Sequence, residues 1–444
     1  MNWRYLLLCL SLAACNRLWA AHLAPDFAGS WNVVVHFADG TASAVLALEA
    51  HDGQYRGTSG PLDEAGTFAL AYEGAVQDGR LKLTLAAAPP GSLLFPQPIG
   101  AMTLEIKNGA LAGSGTLYRV PITLSGTRPD DRPTLPKTYD YAPTRYSTRL
   151  SGATPPVLRI HSGDTVRTTT LDANGQDEHG QWAWMPGNTQ TGPFYVEGAA
   201  PGDTLVVHLN RVRVNQARAE MACWALAPNA LTPGYPQRPP GSPCGFYWAL
   251  DAEQGTGRLE QPSAPLKNFI VKLHPMIGTI GVAPPSNQAI PASDLGNYGG
   301  NLDYNHIGEG TTLYLPVYRA GALLTLGDAH ALQGDGEITG QGLETTMAVE
   351  FRVELIKGKS LGRPWAEDDE CIMVSGIGNS LTDALQAATS GLVDWLQDRY
   401  RLEQADIATI LGTSIHYEIA EIVDPRPHVV AKVRKDLLAQ IEKP

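Results

Sequence analysis

Short alternations of apolar and polar residues, separated by tight-turn dipeptides, dominate residues 26–128. Runs such as residues 31–35 and 81–85 alternate in this way, with the period of a strand that buries one face. The runs are separated by four turn pairs: Asp39-Gly40, Asp52-Gly53, Asp78-Gly79 and Asn108-Gly109. Such pairs accept positive φ in two-residue hairpins. The pattern predicts an antiparallel meander that forms a small barrel or sandwich, and we assign it no chemistry.

Composition divides the chain into segments. A chain of 444 residues is long enough for two or three domains. Pro129, Pro133 and Pro136 mark residues 129–138 as a linker. The 46 glycines and 33 prolines are interleaved with apolar runs, which is typical of a turn-rich β protein rather than a disordered one. We therefore predict an accessory β domain at residues 26–128 and a second domain at residues 139–440.

The N-terminus predicts export. Arg4 precedes an apolar run at residues 5–14, which is too short to span a bilayer and is typical of a signal peptide. In one interpretation the signal covers residues 1–20 and is cleaved after Ala20. In the other, Leu12-Ala13-Ala14-Cys15 resembles a lipobox, and Cys15 carries a lipid anchor. Both predict a periplasmic protein without a transmembrane helix after processing.

Three cysteines lie outside the signal region. Cys223 and Cys244 flank a loop rich in proline and glycine, and in an oxidising compartment they form either a disulfide or two unpaired thiols. Cys371 has no base spaced beside it, so we interpret it as a core residue rather than a nucleophile.

The net charge excludes one class of partner. Lys and Arg number 33 against 45 Asp and Glu, which gives −12 at pH 7. Phosphate binding needs clustered basic side chains. We therefore predict no nucleic-acid surface.

Residues 323–337 concentrate ionisable side chains around an apolar run. The run at residues 322–326 predicts a buried strand. Beyond it Asp328 and His330 lie two positions apart, so both point the same way if the strand continues. A glycine-rich turn then carries Asp335 and Glu337 at the same spacing. Such a set suits a divalent cation or paired acid and base groups. The alternative is a plain hairpin turn beside a half-buried histidine.

These residues also form a recognisable motif. The run Gly-Asp-Ala-His-Ala-Leu-Gln-Gly-Asp-Gly-Glu at residues 327–337 resembles the G-D-x-H-x-x-Q-G-D-G-E signature of the acetamidase/formamidase family. Residues 299–303, Gly-Gly-Asn-Leu-Asp, resemble that family's G-G-N-x-D, and residues 312–317 resemble the strand before the signature. The Thr-Leu-Asp-Ala run that ends a β-branched stretch at Asp172 matches the family's acidic strand end. The resemblance extends over about residues 155–430.

The expected fold is mainly β. The resemblance implies a β-sandwich-like domain with C-terminal helices, preceded by the small antiparallel β domain predicted above. Near the C-terminus the apolar spacing changes to 3.6 residues from Leu381 onward, and Ser380 stands at the N-cap position. A second short helix is predicted at about residues 403–411.

The resemblance also implies an activity, the hydrolysis of a small linear amide such as formamide or acetamide to carboxylate and ammonia. We expect Asp172, Asp303 and His330 to bind a divalent metal ion, with Zn²⁺ preferred and Ca²⁺ as the alternative. Of the remaining candidates, Glu337 is the preferred general base, and Asn301 is a donor to the developing oxyanion. Asp328 and Asp335 are orienting groups or alternative bases. A homo-oligomer, most simply a dimer, is expected.

A second functional class remains open. A non-catalytic periplasmic binding protein could hold structural Ca²⁺ in the same acidic cluster. His330 separates the two hypotheses, because structural calcium sites use oxygen ligands and an imidazole favours transition-metal chemistry. Residues 216–267 form a long aromatic segment that departs from the compact pattern expected of the family. We expect it to shape a pocket rim or an interface, so the resemblance does not fix the choice of substrate.

Overall fold

The computed structural model describes residues 26–38, 40–58, 69–88, 98–128, 135–221, 226–235, 246–285 and 288–442. Several predictions of the sequence analysis lie outside these residues. They are the signal segment at residues 1–20 with Cys15, the cysteines Cys223 and Cys244, and most of the linker at residues 129–138.

The N-terminal part of the described chain is a closed antiparallel barrel. Its strands are β1 (Gly29–Phe37), β2 (Gly40–His51), β3 (Gln54–Thr58), β4 (Ala69–Gln77), β5 (Arg80–Ala88), β6 (Pro98–Lys107), β7 (Ala110–Leu117) and β8 (Val120–Thr127). Each strand pairs with the next, and β1 pairs with β8 to close the ring. The predicted meander is therefore confirmed as a barrel.

Turn residues and interior side chains explain the barrel. Asp52, Asp78 and Asn108 have φ near +50° and each precedes a glycine of positive φ, as two-residue hairpin turns require. The fourth predicted turn includes Asp39, which lies outside the described residues. The interior is filled by one side chain from every second position of the strands, including Trp31 and Leu104.

The rest of the described chain forms two large sheets and a two-stranded ribbon. The first sheet contains β10 (Tyr146–Ser147), β12 (Leu158–Ile160), β14 (Gln190–Val196), β16 (Arg218–Met221), β17 (Phe246–Asp251), β18 (Thr256–Leu259), β19 (Ile270–Lys272), β20 (Met276–Gly281), β22 (Leu295–Gly296), β23 (Gly299–Asn301), β25 (Leu324–His330) and β26 (Glu344–Thr345). The second contains β9 (Thr138–Asp140), β13 (Thr165–Thr169), β15 (Thr204–Val214), β24 (Thr312–Pro316), β27 (Met347–Ile356), β28 (Trp365–Glu367), β29 (Cys371–Ile377), β30 (His416–Glu421) and β31 (His428–Arg434). The ribbon pairs β11 (Arg149–Ser151) with β21 (Ala289–Pro291).

The two sheets share one hydrophobic core, as expected of a sandwich. Phe194 on β14 stacks edge-on against Phe351 on β27, with ring centroids 5.2 Å apart. Ile280 and Leu326 from the first sheet lie in the same buried cluster as Leu205 from the second. The predicted mainly β, sandwich-like fold is confirmed.

Three α-helices are described, all near the C-terminus: α1 (Leu381–Tyr400), α2 (Gln404–Ser414) and α3 (Lys435–Leu438). Ser380 caps α1, since its side chain accepts a hydrogen bond from the amide of Asp383. Ala388 and Leu392 on α1 pack against Val374 and Ala431 of the second sheet. Two short 3₁₀ helices, Pro228–Ala230 and Ala264–Leu266, lie in the aromatic segment.

Within the described residues, every helix is too short or too polar to cross a bilayer. Cys371 is a buried free thiol at the start of β29, and burial raises its pKa. This placement agrees with a core role.

Candidate active site

Strand β25 brings the central candidate residues together. It is buried along its whole length, and it pairs with three strands, β20, β14 and β26. Asp328 and His330 stand two positions apart on it, and both side chains are buried. Thr279 on β20 pairs with both Gly327 and Asn301, so β25 and β23 flank the same strand.

Five carboxylates and one imidazole form a buried cluster. Their possible metal-binding atoms lie within 4.8 Å of one another in three overlapping groups. These groups are Asp303, Asp328 and His330; His330, Glu337 and Glu344; and Asp303, Glu337 and Asp424. All are buried except Asp424, which is half-buried. Aspartate and glutamate are rarely buried in a protein core unless they are paired. A buried cluster of five of them is therefore a candidate functional site.

His330 is held by one nitrogen and faces the carboxylates with the other. Its Nε2 lies 3.1 Å from Oε1 of Glu344 and 3.8 Å from Oδ1 of Asp328. Its Nδ1 forms a 2.8 Å hydrogen bond with Oε1 of Gln333. Because the amide nitrogen of Gln333 donates to the carbonyl of Asp303 at 2.6 Å, Gln333 presents its oxygen to the ring. Nδ1 therefore carries a proton, and Nε2 is the atom turned to the cluster.

Four site residues have left-handed backbone conformations. The φ angles are +50° at Asn188, +40° at Asp303, +52° at Asp328 and +45° at Glu337. Such angles are costly for residues with a Cβ and persist only when the surrounding structure holds them. All four residues belong to one cluster or contact it, so the tertiary contacts that place these side chains outweigh the backbone preference of each residue.

Two glycines leave the space that the cluster needs. A Cβ built on Gly278 would lie 2.5 Å from Oδ1 of Asp303. One built on Gly342 would lie 2.5 Å from Nδ1 of His330. Both distances are well inside van der Waals contact, so neither position accepts a side chain without moving a site residue.

Burial and mutual repulsion raise the carboxylate pKa values. Burial, then the neighbouring carboxylates, raise the pKa of Asp303 well above its ordinary range. Burial likewise raises the pKa of Glu337 well above normal, while His330 opposes the shift. Burial is also the main cause at Glu344, whose pKa is about 7, and at Asp424, whose pKa is about 6. Burial alone would lower the pKa of His330, but Glu344 and Asp328 together raise it well above its usual value.

A polar network positions the cluster. Asn188 donates to Oδ2 of Asp328 at 2.7 Å and to Oδ1 of Asn301 at 2.9 Å. Thr279 donates to the same Asn301 oxygen. The amide nitrogen of Asn301 donates to both Asp303 and Asp424. In this arrangement both N–H groups of Asn301 hold carboxylates, so it has no donor left for an oxyanion.

Two residues predicted from the sequence lie apart from the three groups. Asp335 is exposed, and its carboxylate accepts a 2.8 Å hydrogen bond from Asn305. Asp172 is buried, and its Oδ1 accepts from the amide of Gln176 at 2.8 Å. Burial raises the pKa of Asp172 to about 6. Asp172 influences the cluster through its charge, which raises the pKa of Glu344.

Glu344 and Asp424 belong to the cluster but were not predicted from the sequence. Glu344 lies on the two-residue strand β26 and pairs with His330; a lone glutamate in an otherwise apolar and β-branched run was the available signal. Asp424 follows Glu421, whose Oε2 accepts from the amides of Val423 and Asp424 at 3.0 Å. No spacing to the motif identifies Asp424, because the fold alone brings it to the site.

The donor set fits a divalent cation. Asp303 Oδ1, His330 Nε2 and Glu344 Oε2 are buried and form no hydrogen bond within the described structure. Unpartnered buried polar atoms are costly. A cation in the group of Asp303, Asp328 and His330 would satisfy the first two of these atoms, and one in the group of His330, Glu337 and Glu344 would satisfy the last two. One nitrogen and several carboxylate oxygens suit Zn²⁺ better than Ca²⁺, which takes oxygen ligands.

A cavity of about 210 Å³ adjoins the cluster. Glu337, Gln333 and Gly342 lie in its wall. Glu337 is therefore a member of the buried cluster that also reaches a space large enough for a small molecule.

Comparisons with known proteins identify similar chains. Residues 279–435 match the model of the Acetamidase/Formamidase family. An acetamidase of known structure from Yersinia enterocolitica is 30% identical, with a TM-score of 0.61 over 70% of this chain and 96% of that one. An acetamidase from Bacillus halodurans is 28% identical, with a TM-score of 0.58 over 68% and 99%.

Matches to curated proteins are shorter. A formamidase from Methylophilus methylotrophus is 39% identical over 71 residues, 16% of this chain and 17% of that protein. The chain thus matches about a sixth of the length of the curated relatives.

Proposed function

The chain belongs to the acetamidase/formamidase family, and we propose that it hydrolyses small linear amides to a carboxylate and ammonia. The relatives named as acetamidase and formamidase support an amide substrate. The observation that carries the proposal is the buried cluster, in which a carboxylate oxygen of Glu337 lies within 4.8 Å of atoms of Asp303, Glu344 and Asp424 while Glu337 also lines the adjoining cavity.

Amide hydrolysis needs a stronger nucleophile and a better leaving group than water and an amide provide. The oxygen of water must bond to the carbonyl carbon while a base removes its proton, and the C–N bond must break as the nitrogen gains a proton. We assign both transfers to Glu337. Its carboxylate takes the proton from water and then gives it to the departing nitrogen, so that acid and ammonia are formed without net consumption of the residue.

Hydrogen bonds hold the other residues of the cluster in fixed positions around Glu337. Asn188, Thr279 and Asn301 hold Asp328, Asp303 and Asp424 through hydrogen bonds. Gln333 fixes the orientation of His330. Because these groups are already ordered, little reorganisation is needed when charge develops in the transition state.

We further propose that the cluster holds a divalent cation. Five carboxylates around one imidazole cannot all be ionised in the core without compensating positive charge. Asp303, Asp328 and His330 are the proposed ligands, with Glu344 beside them and Zn²⁺ as the preferred ion. When bound, such an ion polarises a carbonyl group and lowers the pKa of water.

The test combines metal analysis with ammonia release. Purified protein is expected to contain tightly bound divalent metal and to release ammonia from formamide and acetamide. Removal of the metal by a chelator is expected to abolish release, and Zn²⁺ is expected to restore it better than Ca²⁺. Bound metal without ammonia release from any amide would overturn the enzyme proposal and favour a binding protein with a structural cation.

We also propose that the protein is exported and forms a homodimer. The signal-like N-terminus supports export to the periplasm, with either ordinary cleavage or a lipid anchor on Cys15. Mass spectrometry of the mature N-terminus separates these outcomes, and an intact Met1 would contradict export. A homodimer is proposed, and light scattering measures it.

A further inference from the structure

The cavity beside Glu337 has an apolar wall. Five of its lining side chains are Met221, Trp248, Leu332, Ile338 and Leu343. Trp248 and Leu343 are almost fully buried. Of the cavity-lining residues that the structure describes, Glu337 alone is ionisable. The described part of the wall therefore offers contacts to hydrocarbon and no partner for a second charge on a ligand.

The aromatic segment builds one side of this cavity. Met221 ends β16 and Trp248 lies on β17, and these antiparallel strands pair Met221 with Phe246 and Ala219 with Trp248. Leu332, Ile338 and Leu343 come from the opposite side, the loop that follows β25. The first part of this loop belongs to the signature-like run at residues 327–337. Strands β16 and β17 instead belong to the aromatic segment at residues 216–267.

The cavity is continuous with the site at its polar end. Glu337 belongs to two of the three carboxylate groups. Gly342 lies against the ring of His330, where a Cβ would come within 2.5 Å of Nδ1. A molecule in the cavity can therefore place its polar end at the cluster, while Trp248 and Ile338 are among the apolar side chains that line the rest.

We propose that this cavity takes the apolar acyl group of the substrate, so that the preferred substrates are uncharged amides of longer aliphatic or aromatic acids than acetamide. The inference rests on the proposed amide hydrolysis. An apolar cavity of roughly 150 Å³ is enough for benzene. The 210 Å³ found here is far more than the methyl group of acetamide fills.

Chain length gives the first test. The value of kcat/KM is measured for formamide, acetamide, butanamide, hexanamide and benzamide. Each methylene moved from water into the apolar wall is expected to raise kcat/KM roughly fourfold until the cavity is full. A value that stays flat or falls from acetamide onward would overturn the inference while leaving amide hydrolysis intact.

Filling the cavity gives the second test. Ile338→Trp and Thr339→Phe add bulk to its wall, and each is expected to lower the ratio of kcat/KM for hexanamide to that for acetamide about tenfold or more. Leu385→Trp is the matched control, since Leu385 is 40% exposed on α1 and Ile338 is 38% exposed. The control is expected to leave the ratio unchanged. Equal ratios in the control and in both filled variants would contradict the inference.

Binding separates this inference from the proposed function. Ligand-observed NMR compares hexanamide with acetamide on the native protein, without need for turnover. Tighter binding of hexanamide that Ile338→Trp weakens supports the cavity even if no ammonia is released, in which case the hydrolysis proposal fails alone. Equal binding of the two amides overturns the cavity proposal.

Discussion

Gln333 fixes His330 in one orientation. Oε1 of Gln333 accepts a 2.8 Å hydrogen bond from Nδ1 of His330, and its amide nitrogen donates to the carbonyl of Asp303 at 2.6 Å. One buried side chain thus links the imidazole to the strained backbone of a neighbouring carboxylate. This arrangement leaves Nε2 of His330 as the proposed ligand atom.

Gln333→Leu is expected to weaken metal binding. The variant keeps the size of the side chain but loses the acceptor for Nδ1 and the donor to Asp303, so both proposed ligands lose their orientation. Loss of such a supporting group typically lowers metal affinity about 10–100-fold. Competition with a chelator measures the affinity.

The control for this variant is Gln386→Leu on the exposed face of α1. It is expected to bind metal like the native protein. Native affinity in Gln333→Leu would show that His330 does not depend on this hydrogen bond.

Gly342→Ala is expected to disable the site without unfolding the protein. The new methyl group would lie 2.5 Å from Nδ1 of His330, so the ring must leave its present position, in which Nδ1 bonds to Gln333. Activity and metal content are expected to fall together, with an unchanged circular dichroism spectrum. Gly412→Ala on α2 adds the same group to open space and is expected to retain both. Full activity in Gly342→Ala would contradict the tight packing around His330.

His428 makes stability depend on pH. It is fully buried, and its Nδ1 donates to the carbonyl of Leu302 at 2.7 Å. Burial lowers its pKa to about 4, against 6.5 for an exposed histidine. Between these values the unfolded chain binds a proton that the folded protein does not, so stability falls as pH falls from 6.5 toward 4. The full effect is about 3 kcal/mol.

Urea unfolding of metal-free protein at pH 7 and pH 4.5 measures this effect. His428→Gln is expected to lose less stability over that interval than the native protein, because the other titrating groups are common to both. An equal loss in the two proteins would show that His428 is not the group responsible.

Short sequence patterns were enough to predict the hairpins of the barrel and the first residue of α1. Asp-Gly and Asn-Gly pairs located three described hairpins, and Ser380 was recognised as the cap of α1. The turn at Tyr118-Arg119 also has positive φ at both residues, +48° and +66°. Neither residue type favours that conformation, so the pairing of β7 with β8 imposes it.

The site was predictable only where its residues share a strand. Asp328 and His330 lie two apart on β25 and both enter the cluster, although φ of +52° at Asp328 departs from regular strand geometry. The same spacing failed for Asp335 and Glu337, because Gly336 and Glu337 have φ of +81° and +45° and the chain turns there. Glu337 is buried while Asp335 is exposed. Asp424 depends on the tertiary fold, which local spacing does not encode.

His330 is proposed to hold a metal ion while Glu337 transfers protons. The direct measurement compares metal content and kcat in His330→Ala and Glu337→Gln. His330→Ala is expected to lose metal and activity together. Glu337→Gln keeps the size of the side chain and is expected to keep its metal, while kcat falls about 10²–10⁴-fold with the loss of the base. Loss of metal in Glu337→Gln would make Glu337 a ligand instead, and full activity in both variants would show that the cluster is not the active site.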